Sequence, residues 1–189
     1  MTTATPTALL PADLSGSYTL DPAHTRIGFV ARHAMVTKVR GAFNTFDGTA
    51  VLDFADPSRS SATVTIDVTS IDTRQAQRDE HLRTNDFFDA PSFPTITFVS
   101  TAAQAVDQTT FRLTGDLTIK GVTKPVELDV EVLGEGGDPW GGTRVGVEAA
   151  GQISRKEFGI DFNIPLEGDK VMIGDKISIV VNAEAVLQS

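Results

Sequence analysis

The chain has 189 residues, 40% of them apolar, with 16 Lys+Arg against 25 Asp+Glu and a formal charge of −9. That length suits one domain with a real core, and the acidic balance excludes a general attraction to phosphate backbones or anionic lipid surfaces, so nucleic acid is not an expected partner. With no cysteine in the chain, disulfides, thiol catalysis and cysteine-based metal sites are excluded as well.

The N-terminus, "MTTATPTALLPADLSG", has no basic start and no apolar run of signal-peptide length. Residues 1–15 read as a flexible tail and residues 16–189 as a single domain. No stretch approaches the ~20 apolar residues that span a bilayer. The expectation is a soluble, cytoplasmic protein without stable membrane insertion.

Period-two alternation dominates from there. In "RIGFVARH", Ile27, Phe29, Ala31 and His33 share one face, and Arg26, Gly28, Val30 and Arg32 the other. Asp47-Gly48 has the chemistry of a tight hairpin turn, and "ADPSRS" that of a longer loop. "SATVTIDV" aligns Val64, Ile66 and Val68. The alternation then stops at "DTRQAQRDEHLRTND", where Asp72 or Thr73 is placed to cap a helix from about residue 74 to 83, with Gln75 completing a capping box from Asp72. Leu82 is its one large apolar residue, so this helix suits the covering of a barrel end.

Strand patterns resume with Ile96 and Phe98, and continue through Phe111, Leu113, Leu117 and Ile119 to a second hairpin signal at Lys120-Gly121. Val126, Leu128, Val130 and Val132 follow, then the loop "GEGGDPWGG", then Val145, Val147, Ala149, Gly151 and Ile153, and finally Ile177, Ile179, Val181, Ala183 and Ala185. Such alternation marks antiparallel strands with one dry and one wet face. Six or more long strands in one domain point to a sandwich or a barrel, and closure removes the exposed edges. The inward positions mix bulky residues (Phe29, Phe98, Phe111) with small ones (Ala31, Gly41, Gly115, Ala149, Gly151, Ala183). Two readings stand: room for a ligand, or tight packing and strand bends.

The polar residues offer little catalytic chemistry. There is no G-x-S-x-G elbow, P-loop or dinucleotide glycine fingerprint. His24, His33 and His81 lack ligand-pair spacing, so no metal is expected. His33 reads as a hydrogen-bonded wall residue or a contact for a ligand head. His24 reads as a residue that holds the turn in "DPAHT". Asp79 reads as an acceptor that pins the helix, with Arg78 and His81 as alternative contacts for a phosphate or quinone head. Arg155 and Lys156 read as solvated cations, and Trp140 as a partly buried loop anchor.

Four stretches together carry a resemblance: "LDPAHTRIGFVARHAMVTKVRGAFNTFDG", "IDVTSIDTRQAQRDEHLRTNDFFDAPSFPTITF", "GDLTIKGVTKPVELDV" and "ISRKEFGIDFN". In this order, over residues 17 to about 187, the chain resembles the YceI-like family of lipocalin-like polyisoprenoid-binding proteins. The resemblance implies an all-β, extended antiparallel lipocalin-like barrel of about eight strands, with the short helix near residues 74–83 as its exception. It implies a non-catalytic protein that binds, stores or transports a long-chain isoprenoid, such as a quinone or a polyprenyl phosphate, without a cofactor, and a homodimer. Many relatives carry a secretion signal that these first residues do not show. Alternatives of a different kind are a carrier of a fatty acid or amide and a lipid-modifying enzyme using the same cavity.

On that reading the lumen is lined from the first strands by Ile27, Phe29, Ala31 and His33. The middle of the chain adds Val64, Ile66, Ile96 and Phe98. The later strands add Leu113, Leu117, Val147 and Ile179. Arg78 and His81 are the candidate head-group contacts.

Overall fold

The computed structural model describes residues 10–189. It has eleven β-segments and one α-helix. In chain order these are β1 (Gly16–Leu20), β2 (Arg26–His33), β3 (Thr37–Phe43), β4 (Phe46–Leu52), β5 (Ser61–Asp67) and β6 (Ile71–Asp72), then α1 (Ala76–Arg83). After the helix come β7 (Thr95–Ala105), β8 (Thr110–Ile119), β9 (Val122–Gly137), β10 (Thr143–Ser154) and β11 (Lys176–Leu187). Every pairing is antiparallel, in the order β1-β4-β5-β7-β8-β9-β10-β11, with β11 returning to β1.

The short segments are pieces of longer strands. β1 and β2 lie end to end along one edge of β11, with Leu20 opposite Ala185 and Ile27 opposite Val181. Their partners β4 and β3 do the same, with Thr19 opposite Thr49 and Ile27 opposite Phe43. β5 and β6 continue the pattern, with Ile66 opposite Phe46 and Ile71 opposite Phe43. The interruptions are the 3-10 turn Pro22–His24, the step at Asn44 and Thr45, and the 3-10 turn Val68–Ser70. Three interrupted strands and β7 to β11 make an eight-stranded closed antiparallel barrel, as the alternation and the family resemblance lead one to expect.

Both 3-10 interruptions are chemically marked. Asp21 Oδ1 accepts from the Ala23 amide at 2.9 Å, and Asp67 Oδ1 accepts from the Thr69 amide at 2.9 Å. Short acidic side chains that bond the backbone two residues on stabilise such turns. Lys120 and Gly121 form a hairpin turn with φ of 51° and 76°, both positive as a type I′ turn needs. Asp47-Gly48 is not a turn. Both residues lie within β4, where Gly48 pairs with Val64. A Cβ at Gly48 would overlap the Leu20 side chain, so glycine is there for packing.

One end of the barrel is incomplete in backbone pairing. β5 and β7 pair only as far as Asp67 opposite Thr95, while β6 pairs with β3 alone. The gap between β6 and β7 is filled by α1 and residues 84–94. Arg83 ties the helix to the β5–β6 strand through the carbonyls of Thr69 (3.0 Å) and Ile71 (3.2 Å). Lys120 in the β8–β9 turn reaches the Asn85 carbonyl at 2.9 Å. The helix is capped differently from expectation. Gln75 is its N-cap, accepting from the Arg78 amide at 2.8 Å, while Asp72 is occupied with the Arg74 amide. The positive φ of Arg74, 64°, separates the two and starts the helix at Ala76.

The opposite end is closed by a second apolar cluster of Leu10, Tyr18, Phe54, Val132, Val145 and Ala185. This corrects the reading of residues 10–15 as tail. Leu10 is 7% exposed, Ala12–Leu14 form a 3-10 turn, and Tyr18 Oη donates to the Leu14 carbonyl at 2.6 Å. Residues 1–9 of the expected tail lie outside the described residues.

Candidate functional site

Between the two ends lies a cavity of about 550 Å³, within the size range of sites for small organic molecules. Its wall runs from Tyr18 and Leu52 at the closed end to Leu82, Phe88, Phe162 and Met172 at the helix end. The alternating strands build it directly, since the inward parity of each strand is aliphatic or aromatic. All twelve residues expected on the lumen stand on this wall: Ile27, Phe29, Ala31 and His33; Val64, Ile66, Ile96 and Phe98; Leu113, Leu117, Val147 and Ile179.

The inward glycines explain how a Phe-rich wall stays open. A Cβ at Gly41 would overlap the ring of Phe29, its cross-strand partner, and one at Gly115 would overlap the ring of Phe98. Each ring therefore lies along the wall over a glycine, as aromatic residues do when they cover glycine in a sheet, rather than standing across the lumen.

Arg78 and His81 both line the cavity. Arg78 Nε donates to Thr73 Oγ1 at 2.7 Å and Nη2 to the Thr73 carbonyl at 2.8 Å. Asp79, 7% exposed, accepts at Oδ1 from the Thr73 amide (2.9 Å) and hydroxyl (2.5 Å). Asp79 thus pins the helix to the barrel through Thr73, and the arginine beside it serves the same residue. His81 Nε2 lies 2.8 Å from Asp86 Oδ2, and its ring meets those of Phe87 and Phe162 edge to face at 5.0 Å.

His33 is an exposed residue at the end of β2, bridged to Ile173. Its ring has no hydrogen bond among the described residues, in contrast to the expected bonded wall histidine. His24 holds its turn through Asp21 Oδ2 at 2.8 Å. The three histidines do not converge. His24 instead groups with Asp21 and Glu184, a cluster already bridged by the Arg144 guanidinium at 2.5 Å to each carboxylate. Hydrogen bonds from His24 and Arg144 hold Asp21 far below the usual carboxylate range, and Asp21 in turn raises His24.

Two further expectations are overturned. Trp140 is 85% exposed and away from the cavity, not a buried anchor. Arg155 is 5% exposed, not solvated. Its guanidinium donates to the carbonyls of Gly174 (3.0 Å), Ile160 (2.7 Å), Phe162 (2.9 Å) and Ile173 (3.3 Å). Burial lowers its pKa despite Asp175 and Asp161 nearby. A lone "SRK" carries no local sign of this, because the acceptors lie up to 19 residues away on a loop without periodicity. The apolar residues flanking it reach the barrel end: Phe158 and Ile160 are buried, and Phe162 lines the cavity.

The model of the YceI-like domain matches residues 18–185. The chain belongs to the YceI-like family. It is 39% identical over 165 residues to protein YceI of Escherichia coli, spanning 87% of this chain and 83% of that one. The crystal structure of BcnA from Burkholderia cenocepacia has this fold with a TM-score of 0.77 and 27% identity, covering 87% of this chain and 98% of that one. A polyisoprenoid-binding domain from Saccharophagus degradans shares the fold at a TM-score of 0.64 and 16% identity, over 90% of this chain and 98% of that one. The YceI-like match begins in β1 and ends in β11, the two strands that close the barrel.

Proposed function

We propose that this YceI-like barrel binds a long-chain isoprenoid lipid in its lumen, without chemistry, and so stores, shields or carries it. The observation that carries the reading is the continuous, carbon-walled cavity running from Tyr18 to Phe162. The fold shared with the polyisoprenoid-binding domain points the same way.

The energetics favour a long chain over a short one. Burying a methylene is worth ~0.8 kcal/mol, so a five-carbon isoprene unit contributes roughly 3–4 kcal/mol gross. Association costs on the order of 4–15 kcal/mol, so one unit does not hold and several do. Branched methyls suit a wall of Val, Ile and Phe, and a quinone or polyprenyl phosphate head would sit at the helix end beside Arg78 and His81.

Native mass spectrometry of freshly purified protein, with organic extraction, tests this. A co-purifying quinone or polyprenyl mass is the expected result. A fatty acid or amide would retain the carrier and overturn the isoprenoid assignment. An empty protein that takes up no added isoprenoid would leave the barrel as a scaffold. The same spectrum reads the homodimer that belongs to this proposal, and cell fractionation reads the cytoplasmic location.

A further inference from the structure

The charge on the cavity wall is one-sided. Asp and Glu outnumber Lys and Arg by 25 to 16 in the chain, yet among the described residues no carboxylate lines the cavity. The ionisable side chains that do, Tyr18 apart, are Arg32, His33, Arg78, His81 and Arg155, all cationic when protonated.

These five also gather at one end. The His81 ring packs on that of Phe162 at 5.0 Å, and Arg155 Nη1 binds the Phe162 carbonyl at 2.9 Å. Arg155 Nη2 binds the carbonyl of Ile173 at 3.3 Å, and Ile173 is bridged to His33. The next residue, Gly174, donates its amide to the Arg32 carbonyl at 3.0 Å. Arg78 precedes His81 by one helical turn on α1 and so shares its face.

Their donors are not exhausted. A guanidinium has five N–H groups. Arg78 uses Nε and Nη2 on Thr73, and its Nη1 has no partner among the described residues. The acidic groups nearby act from outside the cavity. Asp86 meets His81, Asp161 and Asp175 influence Arg155, and Asp79 is taken up by Thr73. Guanidinium held at the end of an apolar tunnel loses hydration, and an anion with several acceptor oxygens restores what a neutral head cannot.

Resting on the lipid reading above, we propose that the ligand's head is a phosphate ester rather than a neutral quinone or alcohol, selected by Arg78 with the cationic cluster around it. The apolar chain lies along the strands and the phosphate meets the helix end.

The test compares farnesyl phosphate with farnesol at fixed ionic strength by titration calorimetry, with inorganic phosphate as a third ligand. Farnesyl phosphate binding at least about tenfold tighter than farnesol is expected, from one or two charge-assisted hydrogen bonds. The ratio falls to about threefold or less in Arg78→Gln. It persists in Arg112→Gln, whose side chain lies off the cavity near Glu127 and Asp129.

If both ligands bind the wild-type barrel equally, the phosphate assignment fails and the lipid reading survives. If neither binds, the lipid reading fails first. Displacement of farnesyl phosphate by inorganic phosphate at matched concentration would show a free-anion site and overturn the head-and-chain arrangement. An unchanged ratio in Arg78→Gln overturns the role of this cluster. The wild-type comparison stands even if that variant does not fold.

Discussion

Replacement of Arg155 by Met keeps the length of the buried side chain and removes its donors. Four carbonyls lose their arginine, but Ile173 keeps a hydrogen bond from Asn163 Nδ2 at 2.8 Å. Those of Gly174, Ile160 and Phe162 are left. A buried acceptor without a partner costs about 1–3 kcal/mol, giving a gross loss of roughly 3–9 kcal/mol over three. The wild-type guanidinium is itself strained by burial, as its lowered pKa records, and its removal returns part of that loss. We expect a net destabilisation of about 3 kcal/mol, which in a domain of this size lowers Tm by roughly 6–12 °C. Far-UV circular dichroism is the assay, because the sole tryptophan is exposed and reports poorly on the core. Hydrogen exchange should place the loosening in residues 159–175. A Tm drop below about 3 °C would mean that the three carbonyls find other partners, and the idea of Arg155 as a staple would be wrong.

Asp79→Ala leaves the buried Thr73 amide without its acceptor, so ~1–3 kcal/mol is lost and exchange quickens over α1 before global unfolding; protection of the helix equal to wild type would refute the pin. Ala183→Phe puts a ring into the lumen from β11 and should cut uptake of an apolar dye at least tenfold, and undiminished uptake would show that the dye binds elsewhere. His24 has a raised pKa in the folded state, chiefly from its hydrogen bond to Asp21. The stability it contributes is therefore complete below its unfolded value of about 6.5 and is lost as pH rises through the raised native value. Wild-type Tm should fall over that rise relative to His24→Gln, and parallel Tm profiles for the two proteins would remove the His24–Asp21 pair from the account.

The wall of the barrel was legible in the sequence because side chains alternate faces along a strand with a period of two. Ile27, Phe29, Ala31 and their counterparts needed only local parity to be placed on the lumen. The stop in that alternation marked α1, and Lys120-Gly121 marked its turn because positive φ has few chemical solutions. Asp47-Gly48 carried the same local chemistry and was misread. Its conformation is set by Leu20, which is distant in sequence and packs where a Cβ would be.

Long-range contacts decided the rest. No local pattern shows that β1 and β2 are one strand, that Leu10 packs onto Phe54, or that Trp140 points to solvent. The one-sided charge of the cavity comes from residues 32, 33, 78, 81 and 155, which three separate segments bring to the helix end. Composition alone, with its net charge of −9, argues for the opposite sign. Periodicity determines which face a residue takes, since that depends on the backbone within a few residues. Which faces meet, and which cations are left facing the lumen, depends on closure of the barrel, and only the tertiary structure decides that.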